Sequence, residues 1–546
     1  MDQPSSERPS MLAPLQDSTF RGMWLGTLVS NFGGLIQAVG AAWLMTSLTE
    51  SANMVALVQS ATTLPVMLLS LASGAIADSF DRRKVLIVAQ AFMFAVSAAL
   101  AVCAWSGLVT PWILLGLTFL LGCGVAFNNP SWQASVGDLM PRPLLPAAVA
   151  LNSMAFNITR SLGPAIGGAV VAAVGAAGAF AINMLSYLPF IFLLVRWRPQ
   201  RPPQTLPRER LFTAMGAGVR YAAMSQGLLS IYARAFLFGF STIAILALLP
   251  LVTQRFESGG PVTYGVLLGA FGIGAVGGAL MTGRVRAAFS NETLARGAFL
   301  IFATSAAICA LSGTIVVTAL GLVGGGAAWV TALSLFNTSV QLSTPRWVVG
   351  RALSLYQASA FGGMAMGSWL WGALADRYGL AEALGIAAFT MILGAAAGLR
   401  IPLPRMLAVD LDPLNRFREP SVAIDIQPRS GPIAILIEFR IAEENLERFL
   451  AAMTERSRIR RRDGAQHWTL TRDLEDPELW YEYYQTPTWT DYVRHNTRPT
   501  LADAAVGDTL RALHKGPERP KVHRMIVRPT APRSTAPFVP AAPDIH

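Results

Sequence analysis

Twelve separate stretches of this chain are apolar over a length suited to crossing a lipid bilayer, and no other feature restricts its fold so strongly. A crossing helix needs about 20 apolar residues, because in hydrocarbon only its own backbone can satisfy its N–H and C=O groups. The runs are Phe20 to Leu48, Met54 to Ile76, Lys84 to Trp105, Pro111 to Phe127, Ala147 to Val174, Gly178 to Val195, Leu229 to Leu251, Val262 to Thr282, Leu294 to Leu311, Ile315 to Asn337, Arg351 to Leu374 and Leu380 to Leu399. They predict an α-helical membrane protein. Composition agrees, with 53% hydrophobic and 14% charged residues, against about 25% charged in an average soluble domain.

The formal charge of +11 invites a nucleic-acid partner, but its distribution points elsewhere. Residues 410–546 hold 20 basic and 20 acidic residues, so the whole excess lies in the hydrophobic residues 1–409. No nucleic-acid partner is expected; the lipid bilayer is. Short cytoplasmic loops collect Arg and Lys. One end of the runs holds nineteen such residues, among them Arg82, Arg83, Lys84, Arg142, Arg286 and Arg351, and the other end only Arg255 and Arg377. This asymmetry predicts a multi-pass protein of the cell inner membrane with both termini cytoplasmic. Met1 to Phe20 carries Asp2, Glu7 and Asp17 and no short apolar core, so a removable signal peptide is not expected.

The longest connection, 196–228, separates two six-helix halves, 20–195 and 229–404, after a cytoplasmic tail, 1–19. The halves are weakly repeated: Met140-Pro141-Arg142 with Ala150-Leu151 parallels Thr344-Pro345-Arg346 with Ala352-Leu353, and Gly163 to Gly168 parallels Gly362 to Gly367. Related halves imply a binding site between them and a rocking motion that exposes it to each side in turn.

Between the second and third runs stands Gly74-Ala-Ile-Ala-Asp78-Ser-Phe-Asp81-Arg82-Arg83-Lys84. A glycine allows close helix packing, an aspartate suits a helix terminus, and arginines anchor the inner face. The segment resembles the signature of the major facilitator superfamily, G-x-L-A-D-R-x-G-R-R, with Ser79 and Asp81 in place of an Arg and a Gly. The resemblance implies a gating motif of Gly74, Asp78, Arg82 and Arg83, in which Asp78 and Arg82 help hold the outward-open state. In the fifth run, Gly163-Pro164-Ala-Ile-Gly167-Gly168 looks like the end of the superfamily's antiporter motif, which marks exporters, although its upstream glycines are missing. Asn129-Pro130-Ser-Trp-Gln133 through Asp138-Leu-Met-Pro141, followed by Ala150-Leu151-Asn152, is similar to the enterobactin-exporter branch, the transmembrane secretion effectors. Members of that branch export siderophores or drugs.

Polar groups at membrane depth are costly and require explanation. The substrate-binding candidates are Asn31, Gln37, Gln59, Asn128, Asn157, Arg160, Arg234 and Gln357. Arg160 lies deepest, whereas Arg234 is near enough to an end to snorkel. The superfamily's geometry favours Asn31, Gln37 and Asn128, with interhelical hydrogen bonding as the competing role for each. No Asp or Glu falls mid-run, and all five histidines lie beyond residue 460, so a proton relay lacks its usual carriers. Cys103, Cys123 and Cys309 are too few and scattered for a metal site. No cofactor is expected.

After a linker, 405–430, residues 431–528 change to mixed composition, and the Pro- and Ala-rich 529–546 reads as disordered. The pattern predicts strands at Pro432 to Ile441, His467 to Arg472, Leu479 to Gln485 and Val522 to Val527, with helices at Glu443 to Arg462 and Trp489 to Lys515. The expected fold is thus twelve transmembrane helices plus a C-terminal α+β ferredoxin-like βαββαβ domain. With Arg460-Arg-Arg-Asp-Gly464-Ala and Trp468, this module resembles those attached to transporters of the branch and, more distantly, monooxygenase-like domains. It reads as a cytoplasmic regulatory or dimerising module. The expected function is export of a small molecule, a siderophore, drug or secondary metabolite, by alternating access. Two alternatives stand: import, and a tethered cofactor-free monooxygenase or haem-binding enzyme using groups such as His467, Trp468, Trp480, Tyr484, Trp489, His495 and Asn496.

Overall fold

The computed structural model describes residues 12–141, 144–198, 211–345, 347–404, 411, 414, 416–516 and 518–528, apart from the side chains of 77–79, 137–138, 146, 150, 153, 156–157, 160–161, 211–212 and 214. The chain forms two compact units, 1–408 and 409–546. In the first lie α1 (Ser18–Leu48), α2 (Ala52–Ser79), α3 (Arg82–Trp105), α4 (Pro111–Leu139), α5 (Leu145–Arg196), α6 (Leu211–Ala223), α7 (Gln226–Gln254), α8 (Pro261–Ala288), α9 (Asn291–Leu311), α10 (Ile315–Leu342), α11 (Val349–Tyr378) and α12 (Leu380–Ala397). Short polar residues set the starts: Asp17 accepts from the amide of Phe20, Asp81 from those of Arg83 and Lys84, and Ser290 from that of Thr293.

Among the described residues, ten helices are long and apolar enough to cross a membrane. The expected fifth and sixth runs both lie in α5, which is broken at Gly175 (φ 73°, ψ 177°). Only glycine adopts that backbone without strain, and the chain can therefore reverse there with almost no loop. The expected eleventh run lies in α11, where Arg351, Ser354, Gln357 and many glycines lower the hydropathy below that of its neighbours.

One element was not anticipated. The connection between the halves carries α6, too short to span, with Ala217, Tyr221 and Ala222 buried and the Tyr221 ring edge-on to Trp347 at 5.7 Å. Its partners are α2, α7 and α11. Packing of α7, α8, α9 and α10 centres on rings: Phe238 meets Phe299 edge-on at 5.1 Å, and Phe271, Phe302 and Trp329 close the group.

The second unit contains β1 (Ile433–Arg440), α13 (Leu446–Asp463), β2 (Gln466–Arg472), β3 (Leu479–Thr486), α14 (Trp489–Thr497), α15 (Leu501–Leu513) and β4 (Lys521–Ile526). The sheet order is β2-β3-β1-β4, antiparallel throughout. Alternate residues Ile433, Ile435, Ile437 and Phe439 of β1 are buried with Phe449 and Met453 of α13. The stretch expected as one helix from Trp489 is two, because Pro499 interrupts it and Thr500 with Asp503 forms a capping box that starts α15.

Candidate functional site

A cavity of about 840 Å³ lies between the halves of the first unit. On one side α2 contributes Gln59, Thr62, Thr63, Ser70, Ser73 and Gly74, and α4 contributes Asn129 and Gln133. On the other, α7 contributes Ile243 and Leu246, α10 Trp329, Asn337 and Gln341, and α11 Arg351, Ser354, Gln357 and Phe361. α6 adds Met215. Hydroxyls and amides offer donors and acceptors, aromatic and aliphatic groups offer contact area, and Arg351 is the one charged side chain among the described lining residues. Two amides four residues apart, one helical turn, occur on each side: Asn129 with Gln133, and Asn337 with Gln341, the latter pair hydrogen-bonded at 2.5 Å.

The lining extends from Gln59, about two turns into α2, and Phe361, midway along α11, to the end of the unit that carries Arg82, Arg83 and Arg351. At the opposite, Arg-poor end the halves are in direct contact. Trp43 of α1 stacks on Tyr264 of α8 at 6.2 Å. Gly168 of α5 faces Gly265 of α8 so closely that a Cβ on Gly168 would stand 2.6 Å from the carbonyl oxygen of Pro261 and 2.8 Å from the Gly265 Cα. α11 meets α2 through a hydrogen bond from Ser60 Oγ to the Ala365 carbonyl at 2.8 Å.

Of the gating and substrate-binding candidates read from the sequence, Gln59, Gln357 and Gly74 line this cavity, as do Asn129, Pro130 and Gln133 of the branch motif. Gly74 also lets α2 approach α11, since a Cβ there would lie 2.9 Å from Ser354 Oγ. Other candidates have different partners. Gln37 accepts hydrogen bonds from Ser97 Oγ at 2.7 Å and from Asn183, tying α1 to α3 and α5, and Asn128 accepts from Gln90 Nε2 at 2.9 Å, tying α4 to α3. Neither these two nor Asn31 is among the lining residues. Arg234 is 1% exposed and braces α7. Its guanidinium donates to the Gly394 carbonyl of α12, lies 3.4 Å from Glu292 of α9 and sits over the Phe299 ring at 5.0 Å. Glu292 in turn accepts from the Leu403 amide at 2.9 Å. The side chains of Asp78, Asn157 and Arg160 lie outside the described residues.

Arg82 donates to the Ala134 carbonyl of α4 at 3.0 Å, and Arg83 to the terminal carbonyls of α5 at Leu194 (2.8 Å) and Val195 (2.6 Å). A cation on the last carbonyls of a helix satisfies groups that have no helical partner. Gly163 and Gly167 pack on α1, against Leu35 and against Ile36 with Val39, so three glycines of that segment serve two different crossings.

Sequence reasoning missed Asn129, Gln133, Asn337, Gln341, Arg351 and Ser354. The i, i+4 amide pairs at and just beyond the ends of the fourth and tenth runs were the available signal; Asn129 and Gln133 were read only as part of the branch motif, and Arg351 only as a topological charge.

In the second unit three of the groups considered for enzyme chemistry, Trp468, Tyr484 and His495, surround a buried ion-pair cluster. Glu482, fully buried on β3, accepts from Arg456 at 2.7 Å, Arg460 at 3.3 Å and Trp468 Nε1 at 3.1 Å. Arg460 also reaches His495 Nε2 at 2.9 Å and covers the Tyr484 ring at 4.7 Å. Burial pushes the Glu482 carboxyl upward, but Arg456 and Arg460 outweigh it and leave its pKa below the usual value. Burial, reinforced by Arg460, holds His495 well below its ordinary 6.5, so the ring is neutral. Trp489 Nε1 donates to Glu419 at 2.8 Å, Asn496 to the Tyr492 carbonyl at 2.8 Å, and Trp480 packs on Phe449 at 5.6 Å. His467 stands at φ 52° at the irregular start of β2.

Two groups of helices enclosing a polar cavity define a membrane transporter, and solved structures share the fold. A bacterial homologue of the human lysosomal transporter Spinster, captured inward-facing and occupied, aligns with a TM-score of 0.56 at 14% identity over 71% of this chain and 97% of its own. The nucleoside transporter NupG aligns at 0.56 and 11% identity over 70% and 99%. The chain belongs to the transmembrane secretion effector family of the major facilitator superfamily, whose family pattern matches residues 9–531. Relatives include the multidrug efflux pump Tap of Mycobacterium tuberculosis, 26% identical over 71% of this chain and 94% of that protein, and the enterobactin exporter of Citrobacter koseri, 25% identical over 75% and 95%. The staphyloferrin A transporter of Staphylococcus aureus is 25% identical over 45% of this chain, a match spanning 62% of that transporter.

Proposed function

We propose that the protein is a secondary transporter that exports a small molecule, a siderophore, drug or secondary metabolite, across the inner membrane by alternating access. The observation that carries this reading is the polar cavity shared by α2 and α4 on one side and α7, α10 and α11 on the other. A site built from both halves changes its exposure when the halves rock. Kinship with a multidrug efflux pump and an enterobactin exporter supports the outward direction.

α5 crosses twice, turning at Gly175, and with α1 to α4 and α7 to α12 gives twelve crossings. The Arg-rich end faces the cytoplasm together with both termini, so a cavity reaching that end is an inward-facing state. Gln59 and Gln357 bind substrate, Arg160 is a further candidate, and Asp78 with Arg82 biases closure on the cytoplasmic side. The second unit is a ferredoxin-like split βαβ module, with a regulatory or dimerising role through the sheet face that bears Leu436, Tyr481, His523 and Met525, opposite its helices.

The test is metabolite profiling of a deletion strain. The substrate should accumulate inside the cells and be cleared by the wild-type protein, but not by Gln357→Trp, which replaces the amide with a bulky indole in the cavity wall. Clearance by that variant at wild-type rate would sink the assignment of the site. Depletion rather than accumulation of a metabolite would favour import.

A further inference from the structure

The Arg-poor end of the first unit holds a contact between the halves that the sequence motifs did not announce. Asp376, in the last turn of α11, takes three hydrogen bonds from the start of α2: Ser51 Oγ at 2.7 Å, the Ala52 amide at 2.5 Å and the Asn53 amide at 3.1 Å. The first amides of a helix have no partner within it and carry its positive dipole end, so a carboxylate there is held by charge as well as by geometry. α2 already has its own cap, since Ser51 Oγ accepts from the Met54 amide at 3.3 Å. Asp376 is therefore an added clasp from the opposite half. One turn earlier, Gly372 brings the helices together: a Cβ there would stand 2.7 Å from the Asn53 Cα and 2.8 Å from the Ala56 Cβ.

The segment that forms the clasp, Gly372-Ala-Leu-Ala-Asp376, has the same pattern as Gly74-Ala-Ile-Ala-Asp78 at the end of α2. α2 and α11 run antiparallel as neighbours, with Ser51 beside Asp376 at one end and Gly74 beside Ser354 at the other. Each helix of the pair thus brings the glycine of this pattern against the beginning of its partner. The internal repeat does not account for this match, because it relates the fifth run to the eleventh and not the second to the eleventh.

We infer that Asp376 is a positioning residue for alternating access, the latch that holds the Arg-poor side shut while the cavity faces the Arg-rich side. The inference rests on the alternating-access reading but not on any substrate. Opening the Arg-poor side requires α11 to leave the start of α2, and all three hydrogen bonds then break together.

The test reads sidedness. Cys103, Cys123 and Cys309 are replaced by serine, Gln59→Cys provides a reporter in the cavity, and a membrane-impermeant maleimide is added to intact cells or to inverted vesicles. With Asp376 in place, the reporter should label faster in inverted vesicles. Asp376→Ala, which removes all three hydrogen bonds, should raise labelling in intact cells by about tenfold or more, since a single charge-assisted hydrogen bond is worth about that much, and lower it in inverted vesicles. Asp376→Asn, which keeps the shape, and Ser51→Ala, which removes one donor to Asp376 together with α2's own cap, should shift sidedness the same way by less. A residue that merely stabilised the fold would change labelling on both sides alike. Unchanged sidedness in Asp376→Asn and Ser51→Ala, with both proteins at wild-type abundance, would overturn the latch.

Discussion

Arg234 and His495 show how residues of similar appearance in the sequence acquire different work from their neighbours. Arg234 spends its donors on Gly394 and Glu292 and its face on Phe299, remote from the lining of the cavity. Removing it leaves Glu292 without its buried partner, a loss of about 3 kcal/mol. Arg234→Ala should accordingly lower the melting temperature of the detergent-solubilised protein; unchanged melting together with a raised KM would instead make it a substrate ligand. His495 is buried and neutral, with its pKa well below 6.5, whereas the unfolded ring protonates near that value. Its contribution is complete above pH 6.5 and is lost as pH falls below it, with a slope of at most about 1.4 kcal/mol per pH unit. The protection of the α14 amides in the intact protein, taken as the exchange rate relative to the intrinsic rate at each pH, should fall from pH 6.5 downward. Asp463, whose pKa burial raises, works in the opposite sense, so the effect of His495 is read from the flattening of the profile in His495→Gln. Nothing in the sequence separates Gln37, bound to Ser97, from Gln59, which faces the cavity. An amide in an apolar run looks the same whichever neighbour it meets.

Elements were more legible than side chains, because a bilayer imposes length and apolarity on whatever crosses it. The runs of the first unit and the strands of the second fall close to their observed ranges. The misses have local causes. α6 is amphipathic and too short to register as a span, and Pro499 with the Thr500 capping box divides a helical stretch whose apolar spacing runs on. Glycine patterns identified α5 as a packing helix but not its partners; the structure supplies α1 for Gly163 and Gly167 and α8 for Gly168. Gly168→Leu has no room beside Pro261 and Gly265, and overpacking of this kind costs about 1 to 3 kcal/mol. Its export rate should fall about tenfold or more, while Ile166→Leu on the exposed face of the same helix should leave the rate unchanged. Equal rates for the two would show that the α5–α8 contact is not used in the cycle.

Across the whole molecule, the sequence predicted a site between two halves and the structure provides a cavity there, but the choice of lining depended on helix rotation. Among its candidates the sequence favoured those of the first and fourth runs, whereas α2 and α11 supply most of the polar groups and α4 and α10 an amide pair each. Gln357→Ala should raise KM about fivefold with little change in kcat, the signature of a lost binding hydrogen bond; a fall in kcat at constant KM would place Gln357 in the conformational step instead. α6 carries a different consequence. Because it is seated on α2, α7 and α11 and contributes Met215 to the cavity wall, the connection between the halves ends in a docked piece of protein and not in a loose tether. Covalent continuity between the halves is then dispensable: two polypeptides divided within residues 199–210 should reassemble when co-expressed, with the second bringing its own portion of the cavity wall.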